Sequence, residues 1–340
     1  MSANLDFASL GFGYIKTDWR YVSNYKNGAW DEGGLTQDDM IVISECAGVL
    51  QYAQTVFEGL KAYTTQDGKV VVFRPDLNAD RMIDSAKRLE MPAFDKERFI
   101  DAVVKTVEAN LDYVPPFGSG ATLYLRPYMF GSNPVIGVKP ATEYQFRIFC
   151  TPVGPYFKGG VRPLTLNVSD FDRAAPHGTG HIKAGLNYAM SLHAIVWAHD
   201  NGFDENMYLD SATRTKVEET GGANFLFVTK DNKVVTPKSS TILPSITRRS
   251  LLYVAKEYLG LEVEEREVYR EELSEFAECG LCGTAAVISP VGKIYDHGKE
   301  ICLPSGMSAM GPVTQKLYDT LTGIQMGKLE APEGWIVRIK

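Results

Sequence analysis

The sequence predicts an α/β (α+β) chain of about two domains, and three observations carry that expectation. Its 340 residues are 44% hydrophobic and 23% charged, globular proportions that build cores without disulfide or metal staples. Turn-linked strand patterns open the chain, helical periodicity follows, and both then recur. Near mid-chain, residues 152–160 read Pro-Val-Gly-Pro-Tyr-Phe-Lys-Gly-Gly, a density of Gly and Pro that marks a domain boundary. The expected division is a smaller N-terminal domain over 1–151, a linker over 152–160 and a larger C-terminal domain over 161–340.

Taken in order, Arg20 to Tyr25 and Ala29 to Trp30 flank an Asn27-Gly28 turn, Met40 to Ser44 is a β-rich run, and Leu60 to Thr64 and Val70 to Phe73 bracket Gln66-Asp67-Gly68, the pattern of strands and hairpins. Asp76 to Glu90 and Asp95 to Leu111 carry apolar residues at helical spacing, with proline breaks at Pro92 and Pro115-Pro116. Ala121 to Phe130 and Tyr144 to Thr151 read as strongly apolar strands. Beyond the boundary come a strand at Leu164 to Val168, a Gly-rich stretch from Ala174 to Gly185 and an apolar helix from about Asn187 to His199. Short strands at Met207 to Leu209, Phe225 to Val228 and Val234 to Val235 then precede a helix from about Ser245 to Leu259.

A net charge of -7 gives no global attraction to nucleic acid or anionic lipid, although a local basic pocket for a small anion remains open. The start, MSANLDFASLGFGY, lacks the pattern of a signal peptide, and no run of 18 apolar residues occurs, so a cytoplasmic protein is expected. Five scattered cysteines fit reduced thiols better than a disulfide framework. No repeat or low-complexity tract is present.

Lys183 lies between glycines at the mouth of an apolar helix, in Gly178-Thr179-Gly180-His181-Ile182-Lys183-Ala184-Gly185. Backbone approaches a ligand closely there, and desolvation lowers an amine's pKa so that it can condense with an aldehyde; a surface-loop lysine has the same local context. Glu218-Glu219 precedes Thr220-Gly221-Gly222 and a buried strand, which suits a carboxylate held toward a protonated ring nitrogen or, equally, a solvated charge pair. Thr241 to Arg248 opens a helix whose free amides suit a phosphate, though an ordinary capped start reads alike. Gly283-Thr284-Ala285-Ala286 is a second small-residue turn or a plain strand entry. Arg81 lies opposite its helix's apolar stripe of Leu77, Ile83 and Leu89 or on its margin, where most arginines are solvated. Cys279 and Cys282 have redox or half-zinc spacing, but no second such pair and no histidine cluster supports a metal. A dinucleotide-binding glycine fingerprint is absent, because Lys183 stands where its third glycine would be.

In order and spacing these motifs resemble the branched-chain amino acid aminotransferases, pyridoxal-phosphate enzymes of fold type IV. The resemblance runs through Gly11-Phe12-Gly13-Tyr14, Phe57-Glu58-Gly59-Leu60-Lys61-Ala62-Tyr63, Phe73-Arg74-Pro75 to Met82, Tyr124-Leu125-Arg126-Pro127, Pro152 to Phe157, Lys183 to Tyr188, Glu219 to Phe225, Ile242-Leu243-Pro244 and Gly283-Thr284-Ala285. It implies a two-domain fold with pyridoxal 5'-phosphate between a smaller and a larger domain, and transfer of the amino group of leucine, isoleucine or valine to 2-oxoglutarate. It implies that Lys183 holds the cofactor covalently and shuttles the substrate proton, that Glu219 pairs the ring nitrogen while Glu218 stands by, and that Tyr188 donates to the ring's phenolic oxygen. Arg81, the amides of Ile246 and Thr247, and Thr284 would hold the phosphate. The substrate pocket would comprise Tyr52, Phe57, Tyr124, Arg126, Tyr156 and Ala285, with Arg126 for the side-chain carboxylate of glutamate. Ile136 and Val138 would reach the neighbouring subunit's pocket in a homodimer.

Two departures from the family stand out. Gly180-His181-Ile182 replaces a Gly-Asn-Tyr type of sequence before the lysine. A redox cysteine pair found in some members would fall on Ala286 and Ser289, so that regulation is not expected; Cys279 and Cys282 read as buried or structural thiols. The rivals within the fold are a D-amino acid aminotransferase and an aminodeoxychorismate lyase, both usually shorter chains. From another class, a non-catalytic binding protein is disfavoured by the presence of both Lys183 and Glu219.

Overall fold

The computed structural model describes residues 5–7, 9–154 and 162–339, as two compact units. One comprises Met1–Tyr156, Ile182–Leu186 and Ile324–Lys340; the other comprises Phe157–His181 and Asn187–Gly323. The units do not follow chain order: the short segment around Lys183 packs with the first one.

Among the described residues the first unit holds a nine-stranded antiparallel sheet whose main path runs Ile336–Arg338, Val70–Phe73, Leu60–Thr64, Thr122–Gly131, Tyr144–Val153, Arg20–Lys26, Ala29–Trp30. Side chains alternate across a strand. In Thr122–Gly131 this sends Leu123, Leu125 and Met129 into the core and leaves Tyr124, Arg126 and Tyr128 half-buried on the opposite face. The neighbouring strand does likewise with Phe146, Ile148 and Cys150, and its register sets Phe149 opposite Arg126. Helices Pro75–Arg88 and Lys96–Ala109 contribute Ala79, Met82, Ala86, Phe99, Val103 and Val107 to the same core. Asp95 caps the second helix by accepting from the Arg98 amide at 3.0 Å.

The second unit contains an eight-stranded mixed sheet in the order Glu205–Met207, Leu164–Val168, Val287–Asp296, Glu278–Gly283, Asn224–Val228, Val234–Pro237, Val263–Arg266. Phe225, Phe227, Phe276 and Leu281 belong to its core. Helix Ile246–Tyr253 is capped by Ser245 and continues as a π-helical turn over Val254–Tyr258.

Met40 to Ser44 is not a strand. Val42 is 95% exposed, so the β-rich run has neither a partner nor a core to face. Strand Tyr144–Val153 absorbs the start of the expected linker, and 155–161 lie outside the described residues. The second half carries strands that its glycine, cysteine and proline content had hidden, chiefly Glu278–Gly283 and Val287–Asp296. Cys279 and Cys282 lie in the first of these, three residues apart and thus on opposite faces. Both are buried free thiols; burial pushes Cys282 up to about 12 and Cys279 well above the usual thiol range. Among the described residues no group of His, Cys, Asp and Glu could hold a metal ion, and no helix is long and apolar enough to cross a membrane.

Candidate active site

In the first unit, Lys183 stands two residues before helix Gly185–Asp200 and its backbone is fixed on both sides. Its N–H donates to Ser85 Oγ at 3.0 Å, and its carbonyl accepts from the Phe57 amide at 3.0 Å. The side-chain Nζ lies 4.9 Å from the centre of the Phe57 ring. Arg126 approaches the same ring, with its guanidinium carbon also at 4.9 Å, and its Nη2 donates to the Tyr124 hydroxyl at 3.1 Å. One aromatic ring therefore carries an amine and a guanidinium. Nε of Arg126 is buried with no hydrogen-bond partner among the described residues, an orphaned donor of the kind a ligand acceptor would satisfy. Gly59 is required here: a Cβ at that position would stand 2.1 Å from the Tyr124 hydroxyl.

Below this group, helix Pro75–Arg88 turns a row of polar residues, Asn78, Arg81 and Ser85, into the interior, spaced three and four apart on one face. Ser85 holds Lys183. Arg81 donates through Nε and Nη2 to the two oxygens of Glu58, each at 2.7 Å, and Asn78 Nδ2 adds a third bond at 2.7 Å. Arg81 is thus a buried, paired cation and not a solvated one, because Glu58, itself fully buried, requires it. Glu58 and Asn78 belong to motifs that pointed to the family without suggesting a role for either. So does Lys61, a buried lysine on strand Leu60–Thr64 whose pKa burial lowers to about 8.

In the second unit, Glu218 and Glu219 are both buried and, as neighbours on extended backbone, reach different partners. Glu218 accepts from the hydroxyls of Ser239 and Thr241. Glu219 accepts from the Leu243 amide at 2.7 Å and from Asn224 Nδ2 at 2.7 Å, and forms an ion pair with Arg173 at 2.5 Å. Burial is the largest influence on Glu219 and pushes its carboxyl up to about 7; Arg173 and the Leu243 amide oppose the rise. A solvated charge pair is excluded. Arg173 carries no signal in the sequence, where it follows Asp170-Phe171-Asp172.

Beyond Leu243, the Ser245 side chain accepts from the Arg248 amide at 3.1 Å. The amides of Ile246 and Thr247, at the first two helical positions, have no acceptor within the helix. Thr284 and Ala285 form the half-buried turn between strands Glu278–Gly283 and Val287–Asp296. Val287, which leaves that turn, has φ 64°; a β-branched residue in the left-handed region stores strain of order 1–3 kcal/mol, the kind found at ligand-binding turns. Tyr188 is half-buried in the first turn of helix Gly185–Asp200.

The Tyr52 hydroxyl donates to the carbonyl of Ile136, which groups it with the 131–140 loop. Ile136 and Val138 on that loop are 76% and 87% exposed. Tyr156 lies outside the described residues.

Comparison with known proteins decides the lineage. The family model for amino-transferase class IV matches residues 55–294. A branched-chain-amino-acid aminotransferase of Haemophilus influenzae is 53% identical over 342 residues, covering 99% of each chain. The chain belongs to the branched-chain-amino-acid aminotransferase family. Another member, from Helicobacter pylori, is 48% identical over 338 residues, covering 99% of this chain and 98% of its own. Among solved structures, the branched-chain amino acid aminotransferase of Escherichia coli superposes with a TM-score of 0.80 at 28% identity, over 96% of this chain and 100% of the other. The branched-chain amino acid aminotransferase of Thermobaculum terrenum, solved in its PLP-form, gives 0.78 at 27% identity, over 96% of this chain and 100% of the other. These matches favour the branched-chain reading over the D-amino acid aminotransferase and lyase rivals.

Proposed function

We propose that the chain transfers the amino group of L-leucine, L-isoleucine or L-valine to 2-oxoglutarate, giving the branched-chain 2-oxo acid and L-glutamate, with pyridoxal 5'-phosphate as cofactor. The observation that carries this is the Phe57 ring with Lys183 Nζ and the Arg126 guanidinium both at 4.9 Å: a reactive amine and a carboxylate receptor against one apolar surface. Such a wall accepts an aliphatic side chain, and the arginine accepts the second carboxylate of glutamate.

The residues present fit the cofactor. A carboxylate has roughly four acceptor positions, and hydrogen bonds from Leu243 and Asn224 with the Arg173 ion pair occupy three of those on Glu219. The remaining one would take a ring N–H. When bound, the cofactor supplies an aldehyde that carries the amino group and a ring that draws electrons from the substrate Cα. Lys183 would hold it covalently and move the proton at Cα through its Nζ. Tyr188 would donate to the phenolic oxygen. Arg81, the amides of Ile246 and Thr247, and Thr284 would hold the phosphate. Phe57, Tyr124, Arg126, Tyr156 and Ala285 would line the substrate pocket.

The same proposal keeps Tyr52 with that substrate pocket and has Ile136 and Val138, both exposed, serve the neighbouring subunit of a homodimer. Helix Gly185–Asp200 supports a partner surface: Met190, Leu192, Val196 and Trp197 are all exposed on it, and exposed apolar side chains gathered on one element suit an interface. A chain divided near 152–160 and residence in the reducing cytoplasm, for which the free thiols are the support, complete the reading.

Protein supplemented with pyridoxal phosphate should show an absorbance band near the visible edge that disappears in Lys183→Ala and on borohydride treatment. Absence of the band in the unsubstituted chain would sink the cofactor assignment. Faster turnover of D-alanine than of L-leucine, each with 2-oxoglutarate, would sink the substrate class.

A further inference from the structure

Arg173 takes no part in the chemistry proposed for the site, yet its seat beside Glu219 is tightly specified. The side chain is 5% exposed. Its Nη2 donates to the carbonyls of Gly180 at 2.9 Å and Thr241 at 2.6 Å while lying 2.5 Å from Glu219 Oε1. Two backbone oxygens thereby fix where the positive charge sits against the carboxylate. Gly180 must be glycine for this to happen: a Cβ there would stand 2.2 Å from the Thr241 carbonyl and 2.9 Å from Arg173 Nη2. A residue noticed in the sequence only as part of a Gly-rich stretch is a close-approach position that shapes the guanidinium's seat.

The geometry assigns Arg173 as the positioning residue that sets a positive charge against Glu219 and favours its ionised form against burial, with one acceptor position open toward the cofactor's ring nitrogen. This rests on the role given to Glu219 above. The arrangement is specific because the pairing is one-sided. A bidentate arginine would take up both carboxylate oxygens, as Arg81 does on Glu58. Arg173 contacts only Oε1, shared with the Leu243 amide, and Oε2 is left with Asn224 alone. The charged and titratable groups around Glu219 are Arg173, Arg248 of helix Ile246–Tyr253, its neighbour Glu218, and Cys282 of strand Glu278–Gly283. Arg173 is the stronger of the two cations acting on it, and Glu218 and burial work against them. Without Arg173 the carboxyl would hold its own proton through neutral pH. It would then have no charge with which to favour a protonated ring.

The test reads the carboxyl directly, in the full-length chain without added cofactor, by infrared titration of Glu219 with Glu219→Gln as the blank. Arg173→Met should raise the protonation midpoint by about one pH unit or more. Arg173→Lys, which keeps a cation but cannot span the same three oxygens, should fall between Arg173→Met and the unsubstituted chain. A midpoint unmoved in Arg173→Met overturns the assignment. Should that variant not fold, an unmoved midpoint in Arg173→Lys does the same. Failure of the underlying reading looks different: the pyridoxal phosphate absorbance band and its pH response would be the same in Glu219→Gln as in the unsubstituted chain, and Arg173 would then have no ring nitrogen to serve.

Discussion

Two buried glutamates, each beside a buried arginine, divide the molecule's charge chemistry between them. Glu58 accepts four N–H groups, from Arg81 Nε, Arg81 Nη2, Asn78 and the Gly59 amide, and is closed. Glu219 has two hydrogen bonds and a one-sided ion pair, and is open. The first arrangement ties strand Leu60–Thr64 to helix Pro75–Arg88 through the Phe57-Glu58-Gly59 segment. The second keeps a charge available for a ligand. Residue type and burial are the same in both; what separates them is how many acceptor positions the fold fills.

The comparison breaks most visibly through stability. Arg81→Met leaves Glu58 buried and charged without its partner, a change that costs about 3–5 kcal/mol; a urea denaturation midpoint within error of the unsubstituted chain would show that the pair is not structural. The pH dependence of stability sharpens the other side. Burial raises the Glu219 carboxyl from 4.5 to about 7 in the folded chain, so the folded state binds the proton more tightly. Its contribution is present below pH 4.5, is lost as pH rises toward 7 and is flat above. In cofactor-free protein the loss attributable to Glu219 should approach about 3 kcal/mol, read as the difference between the unsubstituted chain and Glu219→Gln. A stability profile that Glu219→Gln leaves unchanged would contradict it. The smallest of these effects concerns Arg126, whose Nε has no partner among the described residues. Arg126→Gln should raise KM for 2-oxoglutarate roughly 10- to 100-fold, the worth of a charged hydrogen bond, with little change in KM for L-leucine. Equal changes in both would mean that Arg126 supports the pocket generally.

Local chemistry was legible in the sequence where it follows from spacing. The alternation in Thr122–Gly131 that presents Tyr124 and Arg126 together, the lysine among glycines and the capped start at Ser245 are all short-range patterns. Partners distant in the chain were not legible. Nothing near Arg173 names Glu219, and nothing near Arg81 shows that Glu58 lies within hydrogen-bond reach. The hydrogen bond of Tyr52 to Ile136 was not legible for the same reason, since it depends on how a loop folds back. Met40 to Ser44 was misread because β-rich composition describes a strand only when a neighbouring strand and a core exist to receive it. Family resemblance supplied roles that spacing alone left open, but it did not supply the hydrogen-bond counts that separate Glu58 from Glu219.

The central claim is that Glu219, and not its equally buried neighbour Glu218, serves the chemistry. It is tested most directly by the turnover of L-leucine with 2-oxoglutarate in Glu219→Gln and Glu218→Gln, both cofactor-supplemented and confirmed to be folded. Glu219→Gln should lose kcat by roughly a hundredfold or more, and Glu218→Gln by roughly tenfold at most. Equal losses, or a larger loss in Glu218→Gln, would contradict the account.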